Sequence, residues 1–473
     1  MSFLLHIYLR KCHTDDKIYT GDIMLHRKIE KSIIDWIEKS KKALLIDGAR
    51  QVGKTFIIRN VLVNKNCEFV EFNLLKTPEL IPLLKNSESV DDMITNLSLF
   101  TDKSFIKGET FIFFDEIQEF KELATKIKFW VDEGSFRYVF SGSLLGVELK
   151  NLKSAPVGYL KTMTMYPLDF EEFLQIYNFT DNLKESLYNS FITKTPVNSE
   201  VHKRMMNIFN MYLNVGGMPA AVAKFKETKN LSDVIAEHND IVLQYKKDFT
   251  RYEVENKKLL LTKIYDLIPA ELNSNNKRFN FSDIKKGLRY ERSEDSFIWL
   301  ASAGVALPTY NVNAPTLPLL LNEKSSLFKL FLSDIGMLTS LYGRATKLQL
   351  LSNNEDINNG ALYENVVAQE LKAHGFKLYY YNSKKFGELD FVIEYNGKVL
   401  PIEVKSGKSY QRHSALNNIM EISNYSIQEA FILSNYNVEV KNNLVYYPIY
   451  MIMFITDNHI DLPIVELDDL SKF

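Results

Sequence analysis

The stretch Asp47–Phe56, DGARQVGKTF, decides how the first part of this chain folds. Gly48 and Gly53 bracket four other residues, and Lys54 and Thr55 follow at once. A turn can be made with one glycine and needs neither the lysine nor the hydroxyl. The spacing is that of G-x-x-x-x-G-K-[ST], a loop whose backbone N–H groups curl around phosphate oxygens. Glycine supplies the dihedrals and lets a ligand approach closely. Gly48, Ala49, Arg50, Gln51, Val52 and Gly53 would form the cradle for ATP. Lys54 would bridge the terminal phosphates, Thr55 would ligate Mg²⁺, and Phe56 completes the cofactor-binding segment on a helix whose positive end faces the anion.

The flanks agree with a loop between a strand and a helix. KALLID (Lys42–Asp47) is a continuous apolar run, as in a strand buried on both faces of a parallel sheet. TFIIRNVL (Thr55–Leu62) returns to helical periodicity, and Ile29–Lys42 reads as an amphipathic helix with Ile33, Ile34, Trp36 and Ile37 on its apolar face. EFVEFNLL (Glu68–Leu75), TFIFFDE (Thr110–Glu116) and RYVFSGS (Arg137–Ser143) give three more buried strands with helical stretches between them. This alternation predicts a doubly wound α/β domain ending near YPLDFEEFL, Tyr166–Leu174.

A phosphate loop needs a carboxylate partner for its metal. FIFFDE ends a buried strand with Asp115 and Glu116, at the edge where open α/β sheets bind ligands. Asp115 would hold Mg²⁺ through water and Glu116 would orient and deprotonate the attacking water, which makes the site hydrolytic. The other Asp-Glu pair, in VDEG (Val131–Gly134), lacks the apolar run and reads as an acid pair at a helix N-terminus. FSGS offers Ser141 or Ser143 as a γ-phosphate sensor, or else an ordinary polar turn.

At 473 residues the chain is too long for one core. A formal net charge of −2 leaves no global basic field, so any nucleic-acid surface must be a local patch. Cys12 and Cys67 are the only cysteines, which excludes a disulfide framework and suits a reducing cytosol. The longest apolar run, LVYYPIYMIMFI (Leu444–Ile455), is short of the roughly 20 residues of a membrane span and reads as a buried strand pair. Residues 1–23 form an N-terminal extension that either belongs to the protein or precedes a start at Met24.

Beyond the first domain (24–175) the pattern is helical over 176–258, broken by NVGGMP (Asn214–Pro219), a turn or tight packing corner. Residues 259–316 hold short helices followed by VALPTYNV, an order that resembles a winged helix-turn-helix. The segment RYERSEDSFIW that would be its recognition helix carries Glu291, Glu294 and Asp295 against Arg289 and Arg292, which suits packing at least as well as contact with phosphates. Residues 317–473 return to α/β.

Taken together, DGARQVGKT, FFDEIQ, FSGSLLG, YPLDFEEFL and GGMP resemble the AAA-type P-loop ATPases of bacteria and archaea that carry a C-terminal nuclease-like domain of unknown function. The resemblance implies an ATPase domain, a helical lid, a winged-helix-like module and a restriction-endonuclease-like α/β domain. Many members place a Gly-Arg pair after the serine strand, with the arginine stabilising charge on the γ-phosphate. Here VGYLK puts Tyr159 at that place, leaving Arg50 or Arg251 as substitutes. Slow hydrolysis, or hydrolysis gated by a regulatory protein or self-association, is the expectation.

FGELDFVIEYNGKVLPIEVKSGK (Phe386–Lys408) sets Asp390 on one strand and Glu403-x-Lys405 on the next, matching the D…E-x-K pattern of the PD-(D/E)XK nuclease fold. Alternation puts Glu403 and Lys405 on one face, where Asp390 can join them. Such a set suits a Mg²⁺ and an activated water attacking a phosphodiester, with Glu364 on the preceding helix as a further ligand. An exposed strand edge with alternating Glu and Lys would look similar. Lys384, Lys385, Lys408, Arg412 and His413 could meet phosphates or be ordinary surface. Two functions follow: a DNA-associated ATPase controlling a metal-dependent nuclease-like domain, or a nucleotide-dependent switch whose C-terminal domain only binds a partner.

Overall fold

The computed structural model describes residues 25–120, 122–143, 158–251, 255–274, 277–284, 293–351, 359–408 and 410–457. The N-terminal extension, the Met24 start and Arg289, Glu291 and Arg292 lie outside them, as does the side chain of Arg251.

Five short strands form the first sheet: β1 (Ala43–Asp47), β2 (Phe69–Asn73), β3 (Phe111–Asp115), β4 (Arg137–Ser141) and β5 (Leu160–Thr164). Their order is β2-β3-β4-β1-β5 and every pairing is parallel. Alternate residues of one strand serve two cores. Phe111 and Phe113 of β3 join Leu44 and Ile46 on one face, while Ile112 and Phe114 join Ala43 and Leu45 on the other. That two-sided burial is why these strands read as unbroken apolar runs. VDEG closes the helix Leu123–Glu133 rather than opening one, because Gly134 adopts the left-handed conformation that ends helices.

A helical region, Asp181–Arg251, follows; its first helix packs Phe191 on Tyr447 and Phe454 of the C-terminal part, and its last helix meets the loop after β1 through Asp248 and Arg50. NVGGMP is a close-packed corner. A Cβ on Gly216 would lie 2.4 Å from Asp334 Oδ1, and one on Gly217 only 2.0 Å from the Leu168 carbonyl oxygen. The Gly217 N–H donates to Asp334 Oδ2 at 2.6 Å, tying this corner to the start of the helix Ile335–Tyr342.

The second sheet has eight strands: β6 (Ala306–Val312), β7 (Glu323–Leu332), β8 (Tyr379–Ser383), β9 (Gly387–Tyr395), β10 (Lys398–Val404), β11 (Ala430–Ser434), β12 (Glu439–Lys441) and β13 (Leu444–Pro448), in the order β12-β13-β11-β10-β9-β8-β6-β7. It is mixed: β8, β9 and β10 are antiparallel neighbours, whereas β6 joins β8 and β10 joins β11 in parallel. The boundary expected at 316/317 falls within the antiparallel β6–β7 pair, which is built into the C-terminal sheet. The hairpin a winged helix would present outward is thereby used for packing. The helix Glu294–Ser302 likewise turns Phe297 and Trp299 into aromatic contacts with Phe279, Phe328 and Phe249.

The strand pair expected over Leu444–Ile455 is half right. β13 ends at Pro448, which has no N–H to extend the ladder, and Ile449–Phe454 continues as a buried 3₁₀ helix. The helix Gly360–Ala373 is buried along almost its whole length and has contacts with both β7 and β10.

Candidate functional site

The loop between β1 and the helix Lys54–Asn64 has the dihedrals its glycines promise. Gly48 (φ 135°), Gln51 (φ 65°) and Gly53 (φ 95°) all lie on the positive side. A Cβ on Gly48 would sit 2.1 Å from the Met165 carbonyl oxygen, so only glycine fits. Lys54 is buried inside the curl, its ammonium donating to the Gly48 carbonyl at 3.0 Å and the Ala49 carbonyl at 2.7 Å. Burial pulls its pKa down to about 8, against the pull of Glu116, Asp115 and Asp47.

Asp115, at the end of β3, gathers the polar ends of three other elements. Thr55 donates its hydroxyl at 3.0 Å, the Asn73 amide at the end of β2 donates at 2.9 Å, and Ser141 at the end of β4 donates to the same oxygen as Thr55. Glu116 follows in the left-handed region (φ 56°), a conformation costing about 1 kcal/mol or more in a residue with a side chain, and Gln118 donates to its carboxylate. Ser143 instead accepts from Arg50 Nε at 3.3 Å. The structure therefore places Ser141 beside the acid pair and Ser143 beside Arg50.

Arg50 faces the helix Leu231–Arg251. It pairs with Asp248 at 2.8 Å, its carbonyl accepts from the Tyr245 hydroxyl at 3.2 Å, and the neighbouring Gln51 is bonded to Gln244. Its Nη2 is buried with no hydrogen-bond partner among the described residues. Ala49 is covered from another side, since a Cβ on Gly304 would meet its backbone nitrogen at 2.8 Å. Tyr159 is remote from this chemistry: its carbonyl accepts the Ala43 N–H at 2.9 Å, a full strand length from the loop at Asp47. A charged residue at 159 would not reach phosphates held by its own loop.

Sequence reading missed several neighbours of the loop. Asn73 could have been suspected from its place at the end of a buried strand beside the acid pair. Arg27 could not: it reaches the Val52 carbonyl at 3.1 Å, the Tyr166 carbonyl at 2.7 Å and Glu172 at 3.0 Å, all distant in sequence. Leu25, Phe56, Met165, Leu168 and Pro219 form a small apolar cleft against Val52 and Gly53.

The orphaned Arg50 Nη2, the glycine-lined cradle and the hard oxygen atoms of Thr55 and Asp115 fit a nucleotide triphosphate with Mg²⁺. Fold and site together define the class, a P-loop nucleotide-binding domain. Residues 40–174 match the AAA domain family, and this part of the chain is an AAA-type P-loop ATPase domain. Two domains of unknown function match residues 206–348 (DUF8612) and 359–452 (DUF4143). No curated protein matches the sequence. Similar solved structures include a Walker-type ATPase of Pyrococcus abyssi, 16% identical with a TM-score of 0.40, covering 67% of this chain and 96% of that one. Another is the Orc1 protein of Aeropyrum pernix in complex with DNA, 14% identical with a TM-score of 0.30, covering 71% and 97%. No helix among the described residues is long and apolar enough to cross a membrane.

The second candidate constellation is assembled in space. Asp390 on β9 accepts the Val404 N–H at 2.9 Å, its own N–H donates to Glu403 at 3.3 Å, and Lys405 donates to Glu403 at 3.2 Å. Burial and Asp390 push Glu403 up to about 8; burial and Asp390 also raise Glu364. Burial would raise Asp390 too, but Lys329, Lys277 and Lys405 outweigh it and hold its pKa down.

The metal set expected of Glu364, Asp390 and Glu403 does not fit. Among the described residues no group of three or more His, Cys, Asp or Glu side chains could hold a metal ion. Glu364 is instead held by two lysines outside the motif, Lys277 and Lys329. His413 is no phosphate ligand either, being buried between the Tyr446 hydroxyl (2.7 Å) and Asn417 (3.0 Å).

Proposed function

We propose that the protein binds ATP in the Gly48–Thr55 loop and hydrolyses it with Mg²⁺. The observation that supports this reading above others is Asp115, which meets the Thr55 hydroxyl at 3.0 Å beside the loop lysine. When bound there, Mg²⁺ would neutralise charge on the β- and γ-phosphates. Thr55 and Asp115 are the residues to hold it. Lys54 would exchange its two carbonyl partners for phosphate oxygens, and Glu116 would take the proton of the attacking water. The base would lie in the apolar cleft of Leu25, Met165 and Pro219.

The test is titration calorimetry with ATP and ADP, together with ATP turnover of wild type and Lys54→Ala. Heat on binding and turnover lost in the variant support the reading. Intact, folded protein that gives no heat with adenine nucleotides would sink it.

For the C-terminal domain, the lysines around Glu364 favour a switch whose last domain binds a partner over one that cuts nucleic acid. A series of contacts supports the reading that this domain receives a signal from the loop. The helix Gly360–Ala373 carries Glu364 near one end and, near the other, Glu370 and His374. Glu370 accepts the Phe170 N–H at 2.9 Å, and His374 lies 3.6 Å from Asp169, which is tied to Lys28. Arg27, next to Lys28, touches the loop at Val52. DNA remains the partner to try first: addition of single- or double-stranded DNA should alter ATP turnover, and unchanged turnover with both removes DNA from this reading.

A further inference from the structure

We propose that Lys329, and not a metal ion, is the central cation of the C-terminal centre, which works as a metal-independent charge cluster fastening the β6–β7 hairpin to the C-terminal domain. The proposal rests on the reading of that domain as a binding module and is independent of ATP hydrolysis.

Lys329 lies within β7, opposite Thr309 of β6, and is fully buried. Its ammonium is 2.7 Å from Glu388 Oε1 and 3.4 Å from Glu364 Oε2. Lys277 pairs with the other Glu364 oxygen. Lys405 takes one oxygen of Glu403, while the other faces the Asp390 N–H. Four carboxylates thus meet three ammoniums, and both oxygens of Glu364 and of Glu403 already have partners.

Mg²⁺ would have to collect several oxygens at about 2.0–2.1 Å. It would find Glu364 occupied and a positive charge beside it. Lys277 is partly exposed and could swing into solvent. Lys329 cannot, because its backbone is paired with β6 in the sheet and its side chain has no exposed surface. An ammonium buried this completely is strongly unfavourable without partners, so the carboxylates are committed to it as much as it is to them.

The contacts also explain what the cluster holds. Lys277 and Lys329 come from the segments before and within the hairpin, whereas Glu364, Glu388, Asp390 and Glu403 come from the helix Gly360–Ala373 and strands β9 and β10. Every acid lies on one side of the joint, and the two lysines outside the motif lie on the other. The same helix supplies a neutral bond to the hairpin, where the Asn365 amide bridges the Leu332 N–H (2.8 Å) and carbonyl (3.1 Å).

The experiment counts Mn²⁺ bound to the full chain without nucleotide, by electron paramagnetic resonance, in wild type, Asp390→Asn, Lys329→Ala and the double variant. Wild type and Asp390→Asn should bind the same number of ions. Lys329→Ala should gain one ion that the double variant loses. A wild-type ion lost on Asp390→Asn overturns the proposal, as does a folded Lys329→Ala that gains none. If Lys329→Ala does not fold, Lys329→Met, which keeps the side-chain length, replaces it with the same expected gain; if neither folds, the comparison of wild type with Asp390→Asn decides alone. ATP turnover of the wild type, measured alongside, reports separately on the ATPase reading.

Discussion

Replacing Asp115 with asparagine separates the chemistry of the phosphate loop from its architecture. Asp115 accepts from Thr55, Ser141 and Asn73. The Asn73 amide cannot turn over to suit a new neighbour, because its oxygen already accepts the N–H groups of Leu75 (3.1 Å) and Lys76 (2.9 Å). Its NH₂ must keep pointing at the end of β3. The amide introduced by Asp115→Asn must therefore present its oxygen to Asn73 and its own NH₂ to the hydroxyls of Thr55 and Ser141. Both hydroxyls can rotate and accept. All the bonds survive, each weakened from a charge-assisted to a neutral one, a loss of roughly 1 kcal/mol per bond that is partly offset by no longer burying a charge. The net destabilisation should be about 1–2 kcal/mol.

Turnover should fall much further. A neutral amide is a poor Mg²⁺ partner, and losing one such electrostatic contribution to a transition state typically costs about 10²–10³-fold. Steady-state ATP turnover at saturating Mg²⁺, beside thermal unfolding monitored by circular dichroism, distinguishes the two effects. A folded Asp115→Asn that turns over ATP within a few-fold of wild type would refute the assignment of Asp115 as the metal-side carboxylate.

Gly217→Ala should destabilise by roughly 3–5 kcal/mol, since the added carbon meets a backbone oxygen at 2.0 Å and neither side of the corner can yield; thermal unfolding like that of wild type would contradict the corner's packing. Asp248→Asn should leave the fold intact but speed amide exchange in residues 244–249, because the charge pair to Arg50 is lost; unchanged exchange there means the helix Leu231–Arg251 is not held to the loop by this contact. Burial and Asp169 push Glu370 up to about 8, and Asp169 and Glu370 raise His374 despite its burial. Both folded-state values exceed the unfolded ones, so the Glu370 contribution is complete below about pH 4.5 and lost as pH rises through about 8, while that of His374 is complete below about pH 6.5 and lost as pH rises through its raised value. The other charged neighbours, Lys28 and Asp169, titrate outside this window. Stability should therefore fall between about pH 5 and 8, by up to about 1.4 kcal/mol per pH unit from Glu370, with His374 adding to the fall only above about pH 6.5, and Glu370→Gln should flatten the slope; equal slopes in melting temperature would dispose of this account.

The phosphate loop, the acid pair and four strands of the first sheet were legible in the sequence because each is local; β5 was not, because its half-exposed LKTMT at the sheet edge is no apolar run. A loop that must curl around phosphate needs its glycines at fixed offsets, and a strand buried on both faces needs an unbroken apolar run. The D…E-x-K pattern was legible for the same reason, and its three residues do meet. What tertiary structure alone decided is which charges face which. Lys329 and Lys277 lie outside the motif and carry no local signal, yet they occupy the oxygens of Glu364. Arg27 joins Val52 to Glu172 across more than a hundred residues. The strand VALPTYNV, read as part of a winged-helix-like module, belongs to the C-terminal sheet because β6 finds β8 as its parallel partner. Charge pairing acts through space at a few ångströms, and the sequence does not record which distant segments the fold brings within that distance.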